Sequence, residues 1–198
     1  MNSDIHSQIQ QVHKDNLSVL LREASVAQAC QYFGCDKVRL ISHPTTHSLG
    51  QVVKTHIVIS LLSCSELRIV IKVHFNPGQL RRYRQAKESD DIAITDRQLI
   101  DYIKEFCNQL GGKICRAFDA HQIFMGMSIP LCTRGIYEIY ADYSPKDSYM
   151  TKFGVFWGLE GPFETLYCSC YVETLSQTCL SNIQYIGEES QEGELDFL

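Results

Sequence analysis

The sequence predicts an α+β fold, because a long amphipathic helix followed by strands that end in a hairpin occurs twice along the chain. A length of 198 residues suits one domain or two tightly fused halves, and a hydrophobic fraction of 44% allows a substantial core. We predict a flexible leader at residues 1–10, a single domain at 11–175 and an acidic, disordered tail at 176–198. The repeated order hints at an internal duplication, with halves at 11–87 and 95–175.

The first half is predicted to open with a helix over residues 17–33, in which leucines and alanines recur at helical spacing. Gly34 follows at the C′ position, where a glycine commonly ends a helix. A short strand is expected at 38–42. Two strands rich in Val, Ile and Thr, at 51–62 and 66–75, flank a Ser-Cys-Ser connection that is typical of a hairpin.

A short helix is predicted over residues 77–87, because proline is favoured in the first turn of a helix. This helix carries four basic side chains: Arg81, Arg82, Arg84 and Lys87. Two interpretations stay open, a solvated basic face and a docking patch for the acidic surface of a partner.

The second half opens with the clearest helix of the chain, over residues 95–118. Thr95 followed by Gln98 is a capping-box signature that fixes its start. Eight apolar residues form one arc that should be buried: Leu99, Ile100, Ile103, Phe106, Cys107, Leu110, Ile114 and Ala117. Four residues form a line on the opposite, solvent side, here called the polar row: Asp101, Glu105, Asn108 and Gly112. Asn and Gly both disfavour a helix interior, so the row breaks local rules without a packing gain, as functional sites often do.

Four more strands are predicted after this helix, at 122–131, 136–143, 152–160 and 164–175. Gly161-Pro162 is a turn signal between the last two, which makes them a second hairpin.

Composition limits the classes of function. The net charge of -5 disfavours nucleic-acid binding, which relies on neutralising phosphates. The N-terminus shows no signal peptide, and the longest apolar region, 57–73, is interrupted by polar residues, so we expect a cytoplasmic protein without a membrane span. The 9 cysteines are scattered without a CxxC motif, which fits reduced cysteines of a core. Cys168 and Cys170 are interpreted as small apolar sheet residues and not as metal ligands.

The polar row has limited catalytic options. The sequence shows no nucleophile with an adjacent base, no glycine-rich phosphate loop and no HExxH ligand pair. An Asn amide can orient a water molecule, and a Glu carboxylate can anchor a cation on a docked partner. This combination suits hydrolysis of a group that another macromolecule presents.

The polar row and Pro130, which follows Asn108 after 21 intervening residues, resemble the signature of the CheC, CheX and FliY phosphatases of bacterial chemotaxis. In that family the helix enters the receiver site of phosphorylated CheY. The resemblance implies that Asn108 positions the water for in-line attack on the aspartyl phosphate and that Glu105 pairs with a lysine of the receiver. It also implies partner contacts for Asp101, Gly112 and Pro130.

The resemblance further implies a fold, a metal and an assembly. CheX-like proteins are α/β sandwiches in which two long helices pack on an antiparallel sheet, and they can form homodimers through sheet edges. The Mg²⁺ would be held by the receiver, so no cofactor is expected on this chain. Laying Glu23 on Glu105 places Val26 where the second helix has Asn108, so the chain looks more like CheX than like two-site CheC.

Three functions are therefore open. The first is a phosphatase of a phosphorylated response-regulator receiver, in chemotaxis or in another two-component pathway. The second is a non-catalytic module of the same fold that binds a receiver or another signalling protein. The third is a scaffold that only dimerises.

Overall fold

The architecture comes from a computed structural model, which describes residues 2–42, 56–87, 93–134, 151–174 and 183. These residues form three helices and seven strands. In chain order they are α1 (Asn2–Phe33), β1 (Arg39–Ile41), β2 (His56–Ser63), β3 (Leu67–Phe75), α2 (Pro77–Lys87), α3 (Asp96–Asp119), β4 (Gly126–Met127), β5 (Leu131–Arg134), β6 (Thr151–Gly161) and β7 (Glu164–Thr174). The predicted α+β class is confirmed.

The described strands belong to one sheet with the order β1-β6-β7-β3-β2-β4, and β5 continues the outer edge beside β2. Each of their pairings is antiparallel. Both predicted hairpins are confirmed, since β2 pairs with β3 and β6 pairs with β7 along their lengths. The strand predicted at 136–143 lies outside the described residues. The internal duplication is not confirmed.

Both long helices pack on the same face of the sheet. The strand register places Leu62 and Phe153 on one face. α3 lies over Leu62 at Gly111, and α1 reaches Phe153 through Lys14, whose Nζ is 5.6 Å from the ring centroid. The hydrophobic core fills the space between helices and sheet, as the predicted sandwich requires.

α1 is longer than predicted, because it begins at Asn2 and includes residues 2–10, which were expected to form a leader. The leader lacks the apolar periodicity on which helix predictions depend. The end of the helix agrees with the prediction, since Gly34 takes a φ of 58° and the Cys35 amide donates to the Cys30 carbonyl at 3.1 Å. In the described ranges, no helix combines the length and the apolar character needed to cross a membrane.

The basic side chains of α2 bind within the chain. Arg81 forms an ion pair with Asp96 near the start of α3. The guanidinium of Arg84 lies 4.6 Å from the ring centroid of Tyr102, and Lys87 donates to the last carbonyl of α1. These three residues join α2 to both long helices. This structural role differs from both interpretations of the basic face, a solvated surface and a docking patch.

The strand predicted at 122–131 is divided into β4 and β5. Met127 pairs with Leu62 and Leu131 pairs with Ile59, so this segment has one residue more than β2 between the two pairs. Such an extra residue is a β-bulge, which interrupts the ladder of hydrogen bonds.

One residue of the predicted disordered tail belongs to the core. Ile183 is fully buried, and Asn16 Nδ2 of α1 donates to its carbonyl at 3.3 Å. The other residues of 176–198 lie outside the described ranges.

The cysteines within the described ranges are free thiols. Cys107, Cys168 and Cys170 are buried, and burial raises the pKa of each thiol. This agrees with their interpretation as small apolar side chains of the core.

Candidate functional site

The rotation of α3 is fixed by its start and by its buried face. Thr95 Oγ1 accepts from the Gln98 amide at 3.3 Å, and Gln98 Oε1 accepts from the Thr95 amide at 2.8 Å, which confirms the capping box. Most of the predicted apolar arc is buried: Leu99, Ile103, Phe106, Cys107, Leu110 and Ile114. Because these side chains are held by the core, the direction of the opposite face is set by packing.

The polar row lies on the solvent side of α3, as predicted. Asp101 and Glu105 are exposed, and Asn108 and Gly112 are half-buried. At a rise of 1.5 Å per residue, the row forms a ridge about 16 Å long. Pro130 is not part of this ridge, because it is buried in the segment between β4 and β5.

Glu105 is connected to the core by two successive hydrogen bonds. Gln28 of α1 is only 3% exposed, and its Nε2 donates to Gln109 Oε1 at 3.0 Å. Gln109 Nε2 donates in turn to Glu105 Oε1 at 2.9 Å. Because Gln109 directs its carbonyl oxygen toward Gln28, its amide nitrogen faces the carboxylate. The orientation of the Glu105 carboxylate is thereby linked to a buried side chain of α1.

α1 also places an aromatic residue beside this part of α3. The Tyr32 hydroxyl donates to the Tyr102 carbonyl at 2.7 Å. Burial raises the pKa of Tyr32, and the nearby Tyr102 and Glu105 raise it further. The phenol therefore stays protonated and acts as a donor next to the acidic side of the row.

The two glycines of α3 have different surroundings. An ideal Cβ at Gly111 would lie 2.4 Å from Met127 Sδ and 3.4 Å from Leu62 Cδ2, so the absent side chain makes room for the β4 segment. An ideal Cβ at Gly112 would meet Arg116 Nη1 at 3.6 Å, which is an ordinary contact. Packing inside the chain therefore favours glycine at position 111 and does not require it at position 112.

Sequence reasoning missed the residues that support the row. Gln109 follows Glu105 by four residues, so the helical i, i+4 rule could have found their hydrogen bond. Gln28 lies 81 residues before Gln109, and no local signal joins them. The contact of Met127 with α3 likewise depends on the tertiary fold.

The polar row is a ridge, and two surface clefts lie away from it. One cleft of about 530 Å³ lies between α1 and β6, and one of about 490 Å³ lies beside α2. No residue of the row lines either cleft. Within the described ranges, no three His, Cys, Asp or Glu side chains come together as metal ligands. A ridge of this kind suits contact with a macromolecule better than enclosure of a small ligand.

Comparison with known proteins gives matches by fold only. No protein-family model and no curated protein matches the chain. CheX from Vibrio vulnificus matches with a TM-score of 0.54 at 8% identity, over 77% of this chain and 96% of that chain. A CheC-like superfamily protein from Shewanella sp. PV-4 matches with a TM-score of 0.53 at 9% identity, over 79% of this chain and 97% of that chain. A chain of the CheX-CheY-BeF3-Mg complex from Borrelia burgdorferi matches with a TM-score of 0.52 at 10% identity, over 77% of this chain and 95% of that chain.

These observations define an α+β domain in which two long helices cover one face of an antiparallel sheet and one helix presents an exposed polar ridge. Within this class, the chain has a CheX/CheC-like fold. The fold that the sequence resemblance implied is confirmed.

Proposed function

We propose that this protein is a phosphatase of a phosphorylated, CheY-like receiver domain in two-component signalling. The observation that carries the proposal is the pair formed by exposed Glu105 and half-buried Asn108 on the ridge of α3. This pair lies on a CheX/CheC-like fold, and one matching structure is a complex that contains CheX, CheY, BeF3 and Mg. A ridge that can enter the site of another protein is the geometry that such a reaction needs.

The substrate in this proposal is an aspartyl phosphate on the receiver. The Asn108 amide holds a water molecule in line with the phosphorus, as a glutamine does in GTPases. The water oxygen bonds to phosphorus while the bond to the aspartate oxygen breaks, and the water proton goes to the departing phosphate. The products are inorganic phosphate and a free aspartate. Half-burial of Asn108 restricts its rotamers, which lowers the entropy lost when the water is positioned.

Glu105 anchors a lysine of the receiver through a charge-assisted hydrogen bond. Gln109, which accepts a hydrogen bond from Gln28, donates to this carboxylate and orients it. Asp101 adds a second exposed carboxylate one turn earlier, and Gly112 allows close approach of the receiver to the helix backbone.

The Mg²⁺ used in phosphoryl transfer is assigned to the receiver, where it neutralises charge on the phosphoryl oxygens. The ridge offers only Asp101 and Glu105 as carboxylates, and no third ligand joins them within the described ranges. In the proposal the receiver holds the ion, so no step runs through a metal of this chain.

The proposal is tested with a panel of phosphorylated CheY-like receivers from the same organism, followed for phosphate loss with and without the protein. We expect accelerated loss from one receiver. Asn108→Ala should lower the acceleration by on the order of 10²-fold or more, because it removes the group that orients the water. Receiver binding should change little. Val26→Ala on α1 is the matched control, since it shortens a half-buried side chain outside the row.

The outcomes separate the three functions. Unchanged phosphate loss from every receiver would overturn the phosphatase. Binding without acceleration, weakened by Glu105→Lys, would identify the non-catalytic module. If the protein sediments as a dimer, binds no receiver and accelerates phosphate loss from none, the scaffold is the remaining function.

A further inference from the structure

The segment that follows α3 is unusually apolar on its surface. Six large hydrophobic residues are exposed in the described part of the chain, and four of them lie within 124–131: Phe124 at 74%, Met127 at 39%, Ile129 at 83% and Leu131 at 68%. Single exposed apolar side chains are common, whereas a contiguous exposed apolar patch is a feature of interaction surfaces.

The backbone of this segment is held in place. The Ser128 amide donates to the Leu61 carbonyl at 2.8 Å, and Ser128 Oγ accepts from the Leu61 amide at 3.0 Å. Pro130 is buried, and its ring fixes the local backbone between two exposed apolar neighbours. A fixed backbone presents these side chains with little ordering cost on binding.

The segment comes close to the polar row at Met127. Met127 Sδ occupies the space in which a Cβ of Gly111 would lie, and Gly111 follows Asn108 by three residues. Residues three apart on a helix are neighbours, so Met127 lies about one side chain away from Asn108. Burial raises the pKa of the Cys132 thiol on β5 and the nearby Lys104 ammonium lowers it, which places that strand beside α3 as well.

We propose that Phe124, Met127 and Ile129, here called the apolar ledge, form the second part of the receiver-docking surface, beside the polar row. The inference rests on the proposed function and names where its partner binds. A specific interface covers about 800 Å² on each partner, far more than a row of four helical residues provides. Interfaces have an apolar centre and a polar rim, so the ledge supplies contact area while the row supplies the chemistry. The expected occupant is an apolar surface next to the phosphorylation site of the receiver.

Leu131 is not part of the ledge. It pairs with Ile59, which is three residues from Leu62 and therefore lies on the face of the sheet opposite to α3. Leu131 is thus a matched control, an exposed apolar residue on the same edge that faces away from the polar row. A second copy of this chain, packing on the same edge, is the rival occupant.

The experiment titrates the full chain with each CheY-like receiver of the same organism, loaded with beryllofluoride and Mg²⁺. Phe124→Ser and Ile129→Ser should each weaken binding about tenfold, as truncation of an interface anchor does. Leu131→Ser should bind as the wild type does. All three side chains are largely exposed, so thermal unfolding should be nearly unchanged.

Each outcome decides between the two proposals. Wild-type affinity of Ile129→Ser together with normal hydrolysis overturns the ledge and leaves the phosphatase standing. Weakened binding without hydrolysis by the wild-type chain supports the ledge and overturns the phosphatase. Failure of the wild-type chain to bind any receiver overturns both. If the wild-type chain is a dimer, and Ile129→Ser and Leu131→Ser abolish the dimer but leave receiver binding intact, this edge of the sheet binds a second copy of the chain and the ledge proposal is overturned.

Discussion

α1 and α3 are the two long helices on one face of the sheet, and they differ in what they present to solvent. Both bury leucines completely, for example Leu17 in α1 and Leu110 in α3. On the exposed side α1 presents Val12 and Val19, whereas α3 presents the polar row. Burial explains one face of each helix, and the outer face of α3 carries Asn108 and Gly112, which helix propensity disfavours.

The difference can be located residue by residue. When Glu23 is aligned with Glu105, α1 has Val26 in place of Asn108 and Cys30 in place of Gly112. In this alignment α1 has the acid but lacks the amide and the glycine. Val26 packs against the core, which is an ordinary role for a helical valine.

The largest expected effect comes from exchanging the two residues. In the double variant Asn108→Val and Val26→Asn, we expect the acceleration of phosphate loss to fall by on the order of 10²-fold or more, as in Asn108→Val alone. The new Asn on α1 should not restore it, because α1 has neither the glycine nor the apolar ledge beside it. The measurement is phosphate release from the receiver that the wild-type chain accelerates.

Recovery of activity in the exchange variant would show that the two helices are equivalent and that the ridge of α3 has no special surroundings. Val26→Asn alone is the control, and it should keep the activity of the wild type. Circular dichroism checks that each variant is folded.

Gly112→Ala is expected to have a smaller effect, which raises the stability of the protein and lowers its affinity for the receiver. An added Cβ fits within the chain, since its nearest neighbour would be Arg116 Nη1 at 3.6 Å, and alanine favours a helix by about 1 kcal/mol over glycine. The free energy of unfolding should therefore rise by up to about 1 kcal/mol. If the receiver approaches the backbone here, the same methyl should weaken binding about tenfold, because overpacking costs about 1–3 kcal/mol.

Denaturant unfolding and receiver titration measure the two quantities separately. Cys30→Ala, at the corresponding position of α1, should leave receiver affinity unchanged. Greater stability of Gly112→Ala with unchanged affinity would mean that no partner backbone comes close to this position.

The parts of the fold that local sequence determines were predictable. The capping box of Thr95 and Gln98, the glycine after α1 and both hairpins depend on neighbouring residues, and each is present in the structure. The first helical turns of α1 and the burial of Ile183 depend on distant contacts or lack a periodic pattern, so the sequence did not indicate them.

The candidate site likewise has features that local sequence determines and features that depend on distant contacts. The spacing of Asp101, Glu105 and Asn108 on one helix face follows from helix geometry, and the structure places them on one exposed ridge. The supports of that ridge were not predictable, because Gln28 and Met127 reach α3 only after the helices have packed on the sheet. Pro130 was expected at the partner surface for its place in a signature. The structure shows it buried between exposed Ile129 and Leu131, and its contact with a partner stays a prediction.

The smallest effect is expected where the two helices meet. Gln28→Met keeps the size of the side chain and removes the donor to Gln109, so the carboxylate of Glu105 loses its fixed orientation. One hydrogen bond contributes about 0.5–1.5 kcal/mol, so the KM for the receiver should rise about threefold while kcat stays unchanged, because Asn108 is untouched. Gln11→Met is the control for the substitution itself, since it removes a Gln donor to Asp15 Oδ1 at 3.0 Å that lies within α1 and away from the row. A merely structural role for Gln28 predicts a lower melting temperature with an unchanged KM, and that result would refute its part in orienting Glu105.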